Sequence, residues 1–289
     1  MIKTTFILLI FFGLNYTPGA NEEQKEKISK TFTFDGTSDK NLLIIKNIHG
    51  SILIEGYQAN QVLVDVDKVI EAKSQKDLQE GIRDISLGVI NTGDSIILYT
   101  ESPYASLKCK NGKVSYQWDN CFGDIDYSYN FDYSVKVPYG TMVCVSTVNQ
   151  GNVKIVDTRA NVRAGNVNGS VYLEKISAVT KATTVNGVVE GEIIKKPLED
   201  CLFKTINGDI KITFPSDLSA DVSYKTMHGD FYTDFDIEVL PSKVQSIEEK
   251  SKSGTTYKIE KNPKFRIGDG DVNISFKTIN GDMILKMTK

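Results

Sequence analysis

A short motif recurs seven times along this chain of 289 residues, and each copy contains a glycine at the same place. The copies read NIHGSILI, VNQGNVKI, NVNGSVYL, TVNGVVEG, TINGDIKI, TMHGDFYT and TINGDMIL. Their glycines are Gly50, Gly151, Gly169, Gly187, Gly208, Gly229 and Gly281. From Gly151 to Gly229 the spacings are 18, 18, 21 and 21 residues. Units of this length cannot bury an apolar face alone, so neighbouring copies are expected to stack.

Each copy predicts a sharp turn followed by a short strand. Apolar residues stand two positions after every glycine and four positions after most of them, and this alternation is typical of a strand with one buried face. Glycine tolerates positive φ best, and Asn tolerates it better than most residues, so the pair predicts a structural turn. The asparagines in question are Asn168, Asn186, Asn207 and Asn280. Gln150, His49 and His228 replace Asn in the other copies, which predicts irregular turns there.

The repeats favour an all-β fold, a single-stranded parallel β-helix or solenoid. We expect it to be right-handed and to carry one short helix in its N-terminal part. The helix is predicted over Ser74–Ile85, where Ser74 and Asp77 resemble a capping box. The alternative is a β-sandwich, since Asn-Gly turns between short strands also describe hairpins.

The chain divides into three predicted parts: a signal peptide at 1–20, a β-rich cap region with one helix at 21–140, and β-solenoid repeats at 141–289. The first motif copy, at 47–54, is expected to join the same solenoid. Lys3 followed by the apolar run Phe6–Leu14 is typical of a secretory signal, too short to span a bilayer. The polar stretch Pro241–Thr256 is predicted to be a loop.

Export would place the protein in the periplasm, at the outer membrane or on the cell surface, with no stable transmembrane segment after signal cleavage. The formal net charge is −3, and no basic stripe is visible along the sequence, so no nucleic-acid partner is predicted. Export also permits disulfides, and Cys109 and Cys121 are the candidate pair because they flank a predicted hairpin. Cys144 and Cys201 lie in apolar segments and are predicted to be buried free thiols.

The candidate binding residues lie in an aromatic-rich segment between residues 101 and 140. Aromatic side chains there can stack on sugars or anchor a partner, whereas the alternative role is a cap over one end of the stack. The four candidates are Tyr116, Trp118, Tyr127 and Tyr129. Asp209, Asp230 and Asp282 each follow a repeat glycine and are expected to form a column. We predict no catalytic residues, no metal site and no cofactor.

The recurrent T-x-N-G-D-[IM] units, at Thr205–Ile210 and Thr278–Met283, resemble a large bacterial putative-adhesin family of unknown function. The stretch Ile267–Gly270 followed by Phe276–Asp282 is similar to that family's C-terminal end. The likeness covers roughly residues 42–289, with 70–140 least typical. It implies an exported β-solenoid, similar in style to head domains of putative auto-transporter adhesins, and it supplies no catalytic residues.

The leading hypothesis is therefore an exported, non-catalytic adhesin or envelope scaffold that presents a repetitive face to a glycan or to an envelope or surface protein. The alternative is a polysaccharide lyase or glycoside hydrolase on a β-helix scaffold, which would need paired carboxylates, or a carboxylate with a basic residue, in a groove. Either a monomer or a homodimer is compatible with the pattern, because an open solenoid end can pair with another copy.

Overall fold

The computed structural model describes residues 22–35, 40–110, 113–118, 125–241, 245–251, 254–260 and 263–288. In these parts it contains one helix, α1 (Gln75–Asp84), and 25 strands. The first nine strands are β1 (Glu22–Thr33), β2 (Leu42–Lys46), β3 (Ile52–Tyr57), β4 (Gln61–Ala72), β5 (Ser86–Asn91), β6 (Ser95–Glu101), β7 (Ala105–Lys110), β8 (Lys113–Trp118) and β9 (Tyr127–Pro138). The next eight are β10 (Met142–Ser146), β11 (Val153–Val156), β12 (Asn161–Gly165), β13 (Val171–Ile176), β14 (Ala178–Thr183), β15 (Val189–Ile193), β16 (Cys201–Lys204) and β17 (Ile210–Phe214). The last eight are β18 (Ala220–Lys225), β19 (Phe231–Thr233), β20 (Glu238–Leu240), β21 (Gln245–Ser251), β22 (Gly254–Glu260), β23 (Lys264–Ile267), β24 (Val272–Lys277) and β25 (Met283–Met287).

Most strands belong to two large mixed sheets. Sheet A has the order β1-β4-β9-β3-β11-β13-β15-β17-β25-β19, and sheet B has the order β20-β23-β18-β24-β16-β14-β12-β10-β2-β6-β5. The strands that carry the repeats pair with one another in parallel, whereas antiparallel pairs lie towards the edges, as β1–β4 and β4–β9 in sheet A and β20–β23 and β23–β18 in sheet B. The described chain is thus all-β with one helix. Its sheets do not close on themselves, so the single continuous coil predicted from the sequence is not what the two sheets show.

Each repeat supplies one strand to sheet B and the next strand to sheet A, and we call such a pair a rung. The rungs are β2/β3, β10/β11, β12/β13, β14/β15, β16/β17, β18/β19 and β24/β25. The first five stack in chain order, but β24/β25 lies between β16/β17 and β18/β19. The stack therefore departs from chain order at one point.

The core lies between the two sheets, because alternate residues of each rung point inward. In β11, for example, Val153 and Ile155 are buried while the residues after each of them are half-buried on the outer face. Inward side chains from both sheets form one hydrophobic cluster. Towards β19 the core becomes aromatic, with Phe276 5.3 Å from Phe203 and 5.4 Å from Phe231 between ring centroids. Phe203 and Phe276 thus pack as equivalent positions of successive rungs, and Phe231 packs on Phe276 from the opposite sheet.

Helix α1 packs on β1, β4 and β9 at the N-terminal end of the stack. The Ser74 hydroxyl accepts a hydrogen bond from the N–H of Asp77, which satisfies one of the unpaired amides at the helix start. Leu78 and Ile85 are buried against the sheet. The predicted helix is confirmed, and it is one residue shorter at each end because Ser74 and Ile85 are its capping residues.

The prediction of a loop over Pro241–Thr256 is wrong in one respect. Strands β21 and β22 pair there as an antiparallel hairpin, from Gln245↔Glu260 to Ser251↔Gly254. Backbone hydrogen bonds pair two strands without needing an apolar face, so a polar composition did not exclude it. No helix of the described residues is long and apolar enough to cross a membrane. The predicted signal peptide lies outside the described residues.

Candidate binding face

Asparagine side chains form a hydrogen-bonded ladder at the corner where each rung passes from sheet B to sheet A. Each amide nitrogen donates to the amide oxygen of the preceding rung, at distances of 2.7, 2.8, 2.8 and 2.7 Å. The ladder runs Asn149, Asn168, Asn186, Asn207, Asn280. Isolated parallel bridges place His49 next to its first member and His228 next to its last. The repeat asparagines therefore hold the rungs in register, and the two histidines occupy opposite ends.

The turn geometry agrees with the sequence prediction at most glycines and differs from it at the asparagines. Among described residues, positive φ is taken by most of the repeat glycines, such as Gly208 at 146°, and not by the ladder asparagines. At the irregular copy Gln150 itself adopts φ 60°, and Asn149, one residue earlier, takes the ladder position. At Gly208 an added Cβ would lie 2.1 Å from the Gly187 carbonyl oxygen, so close approach of the rungs also requires glycine.

The threonine that opens the T-x-N-G motif is a buried hydrogen-bond donor. Thr184 donates to the Gly169 carbonyl at 2.6 Å, and Thr205 donates to the Gly187 carbonyl at 2.9 Å. Each hydroxyl thus donates to a backbone carbonyl of the preceding rung that is not hydrogen-bonded in the strand pairing. The equivalent Thr226, in the end rung β18/β19, has a buried hydroxyl with no partner among the described residues.

The aspartates after the glycines do form a column, in the spatial order Asp209, Asp282, Asp230. The backbone N–H of Asp282 donates to Asp209 at 3.0 Å, and that of Asp230 donates to Asp282 at 2.9 Å. The carboxylates of Asp209 and Asp282 therefore act as acceptors for the next rung. The described part of the chain contains no cluster of ligands that could hold a metal ion.

The outer face of sheet A carries two adjoining depressions with volumes of about 470 and 450 Å3. We call them together the trough. The first is lined by Tyr172, Leu173, Glu174, Glu190, Gly191, Glu192, Lys211, Ile212, Thr213, Ile284 and Lys286. The second is lined by Ser51, Ile52, Leu53, Asn152, Lys154, Tyr172 and Glu174. Tyr172 and Glu174 line both, so they mark the centre. From β3 to β25 the trough crosses five strand spacings of about 4.8 Å, or about 24 Å.

The charges of the trough balance. Three glutamates and three lysines line it, and Lys154 pairs with Glu174 at 2.6 Å. Lys211 pairs with the nearby Asp209 at 3.5 Å. The ring of Tyr172 is half-buried, and no other aromatic ring of the described chain stacks on it. The trough thus offers one aromatic surface surrounded by polar groups of both signs.

The predicted site residue Tyr116 is placed away from the trough. Its hydroxyl accepts the N–H of Thr100 at 2.8 Å and lies 2.8 Å from the Lys46 carbonyl oxygen. Burial raises the pKa of this hydroxyl well above its usual value. Tyr116 therefore anchors the β7–β8 hairpin to the ends of β2 and β6.

Two other predicted residues also contact the protein itself. The Tyr127 hydroxyl lies 3.2 Å from a carboxylate oxygen of Asp84, at the end of α1. The ring of Tyr129 meets the His49 ring edge to face at 4.9 Å, and burial raises the pKa of Tyr129 to about 12. The side chain of Trp118 lies outside the described residues. The binding role of this aromatic segment stays a prediction.

The cysteines follow the sequence prediction in part. Cys201 is a buried free thiol, and burial raises its pKa to about 12. Cys144 is free but half-exposed, because it occupies an outward position of β10, so its predicted burial is wrong. The predicted bridge cannot be placed, since Cys121 and the side chain of Cys109 lie outside the described residues.

No family model matches the chain, and no curated protein matches it. Among solved structures, a "putative cell adhesion protein" from Clostridium sporogenes ATCC 15579 is similar, with a TM-score of 0.39 and 10% sequence identity. The alignment covers 93% of this chain and 100% of that one. No residue role or activity is carried over from it.

Sequence reasoning missed the trough because its residues are scattered along the chain. Tyr172, Glu190 and Lys211 all stand three positions after a repeat glycine, and strand pairing brings them side by side. An alignment of the repeats on their glycines would have placed this row on one outer face. The aromatic segment was predicted as the binding site instead, because its rings lie close together in the sequence.

Proposed function

We propose that the protein is an exported, non-catalytic binding protein whose stacked rungs form a solenoid-like scaffold that holds an uncharged glycan in the trough of sheet A. The observation that carries the proposal is the trough itself, with Tyr172 at its centre. The accessible side of the half-buried Tyr172 ring offers an apolar face to a sugar ring, while flanking carboxylates, amides and ammonium groups reach the hydroxyls. Balanced charge favours a ligand without net charge.

The length of the trough supports an oligosaccharide over a single sugar. A span of about 24 Å accommodates several rings in a row, and the ladder at its edge keeps the rungs in fixed register. A rigid, preformed surface lowers the ordering cost of binding. Both features suit an adhesive or scaffolding surface, which must hold a ligand without converting it.

The test compares Tyr172→Ala with Tyr232→Ala, since Tyr232 points outward from the same sheet but lies outside the trough. Binding of neutral oligosaccharides would be screened on a glycan array and then measured by calorimetry. We expect Tyr172→Ala to weaken binding roughly ten- to hundredfold, as for a central aromatic contact, and Tyr232→Ala to leave it unchanged. Equal effects of the two changes, or no glycan bound by the parent protein, would contradict the proposal.

The non-catalytic part of the proposal has its own assay. Incubation with the bound glycan is expected to release no reducing ends and no unsaturated products. Product formation that is lost in Glu190→Gln or Glu192→Gln would instead establish a polysaccharide-cleaving enzyme on the same face. Export is tested by protease treatment of intact and lysed cells. A third sample has only its outer membrane permeabilised. Cleavage in intact cells indicates the surface, and cleavage first seen after permeabilisation indicates the periplasm. Cleavage only after complete lysis would contradict export.

A further inference from the structure

The outer face of sheet B carries three lysines in one row across adjacent strands. Lys204, Lys277 and Lys225 end strands β16, β24 and β18, and the pairing places Lys277 directly beside each of the other two. All three are exposed. We call this row the lysine column. Its members are spaced about 4.8 Å apart, the distance between paired strands.

The lysine column is not visible along the sequence, which shows no basic stripe. Each lysine immediately precedes a copy of the repeat, in KTING, KTMHG and KTING, but the copies lie 21 and 52 residues apart along the chain. Only the stacking of rungs brings the charges together. Two more cations continue the surface, since Lys181 pairs beside Leu202 of β16 and Lys264 pairs beside Ser223 of β18.

Like charges directly opposite each other on a sheet face destabilise it. The same three rungs also carry Asp209, Asp282 and Asp230, and the carboxylates of Asp209 and Asp282 accept backbone N–H groups of the neighbouring rung. Lys204 and Lys277 form no ion pair with any described residue. Lys204 and Lys277 thus keep charges that no described carboxylate neutralises, whereas the same row holds the uncharged Thr183 in the neighbouring strand β14.

We propose that the lysine column binds a linear acidic polysaccharide, one that carries carboxylate, sulfate or phosphate groups along its length. The column is straight, and its cations repeat at the strand spacing, which suits a chain of regularly spaced anions. Hydroxyls for the sugar rings stand in the adjoining row, where the Ser223 and Ser275 hydroxyl oxygens lie 3.3 Å apart.

Other anionic partners fit this face less well. Single-stranded nucleic acids are held by aromatic rings that stack on their bases, and the outward neighbours of the column in sheet B are Leu202, Ser275, Ser223 and Thr183. Met227 and Ile279, two residues after Lys225 and Lys277, are exposed, but they form one narrow apolar edge and not the broad apolar face that insertion into a lipid surface needs. The column lies on the opposite side of the stack from the trough, so this proposal does not depend on the neutral-glycan function.

The test uses the full chain with Lys204→Gln and Lys277→Gln combined. The control combines Lys27→Gln with Lys76→Gln, two exposed lysines of β1 and α1, which changes the net charge equally. Affinity for size-fractionated heparin and for polygalacturonate is measured by fluorescence anisotropy, with neutral dextran as the reference. One lysine near an anionic surface contributes about a fivefold factor, so the column variant is expected to bind roughly 25-fold more weakly.

The Arg variant of the same two positions is expected to restore affinity, since it restores the charge. The Gln variant should unfold at the parent temperature or above it, because it relieves like-charge repulsion, and this confirms that the loss is not misfolding. Equal weakening in the control pair would reduce the effect to net charge and overturn the proposal. Absence of binding to both acidic polysaccharides, or binding of a single-stranded oligonucleotide alone, would overturn it as well.

Discussion

The buried threonines of the repeat make a quantitative prediction about what holds the rungs together. Thr184→Val replaces a hydroxyl with a methyl group of nearly the same shape and keeps the β-branched side chain. The hydroxyl donates to the Gly169 carbonyl at 2.6 Å, and Thr184 is only 3% exposed. Its loss removes a hydrogen bond and leaves a carbonyl without this partner, which costs about 1–3 kcal/mol.

Thr226→Val is the matched control, because the chain offers the same residue at the same motif position without the hydrogen bond. Its buried hydroxyl has no partner among the described residues, so the methyl group removes an unsatisfied polar atom. We expect the free energy of unfolding to stay the same or to rise. The two variants therefore separate the hydrogen bond from the packing of the side chain.

Urea unfolding followed by far-ultraviolet circular dichroism measures both changes. A loss of about 2 kcal/mol in Thr184→Val lowers the midpoint, with an unchanged slope, and lowers Tm by roughly 4–8 °C for a domain of this size. Thr184→Ser keeps the hydroxyl and should recover most of the loss. Equal destabilisation by Thr184→Val and Thr226→Val would refute the reasoning, since the hydrogen bond would then contribute nothing beyond packing.

Three further predictions concern single positions. Gly208→Ala should destabilise the fold by more than about 2 kcal/mol in urea titrations, because of positive φ and the 2.1 Å approach, whereas Gly165→Ala, with 3.6 Å to its nearest atom, should cost less than about 1 kcal/mol. The paired guanidinium of Arg266 lowers the pKa of Asp221. The ion pair therefore contributes to stability above about pH 4, and this contribution is lost as the pH falls through the lowered pKa. Asp221→Asn should flatten that part of the pH–stability curve. Maleimide at pH 8 should label Cys144 in the native protein and Cys201 only after unfolding, read by peptide mass spectrometry, and prompt labelling of Cys201 would contradict its burial.

The local structure was largely readable from the sequence. Alternation after each repeat glycine predicted the strands of sheet A, and Ser74 with Asp77 predicted the start of the helix. These features depend on neighbours within a few residues, so a sequence pattern is enough to predict them. The hydrogen bonding between the asparagines could not be predicted, because the bond from Asn186 to Asn168 exists only once the rungs are stacked.

The order of the rungs could not be derived from the motif. Thr205 and Thr278 open nearly identical copies, and both donate to a glycine carbonyl of the neighbouring rung, so the motif permits either copy to stack on the other. What distinguishes them includes residues outside the motif, since Phe276, which precedes its copy, packs between Phe203 and Phe231. The trough and the lysine column depend on that order, which is why both escaped the sequence analysis.

The displaced rung β24/β25 has a consequence for how the protein is made. Synthesis proceeds from the N-terminus, so the rungs from β10/β11 to β16/β17 can add one by one as the chain emerges. The rung β18/β19 cannot reach its final neighbours until β24 and β25 exist, since it pairs with them and not with β16/β17. A chain interrupted before residue 264 would therefore lose two layers of the stack at once and would end on the exposed edge of β17.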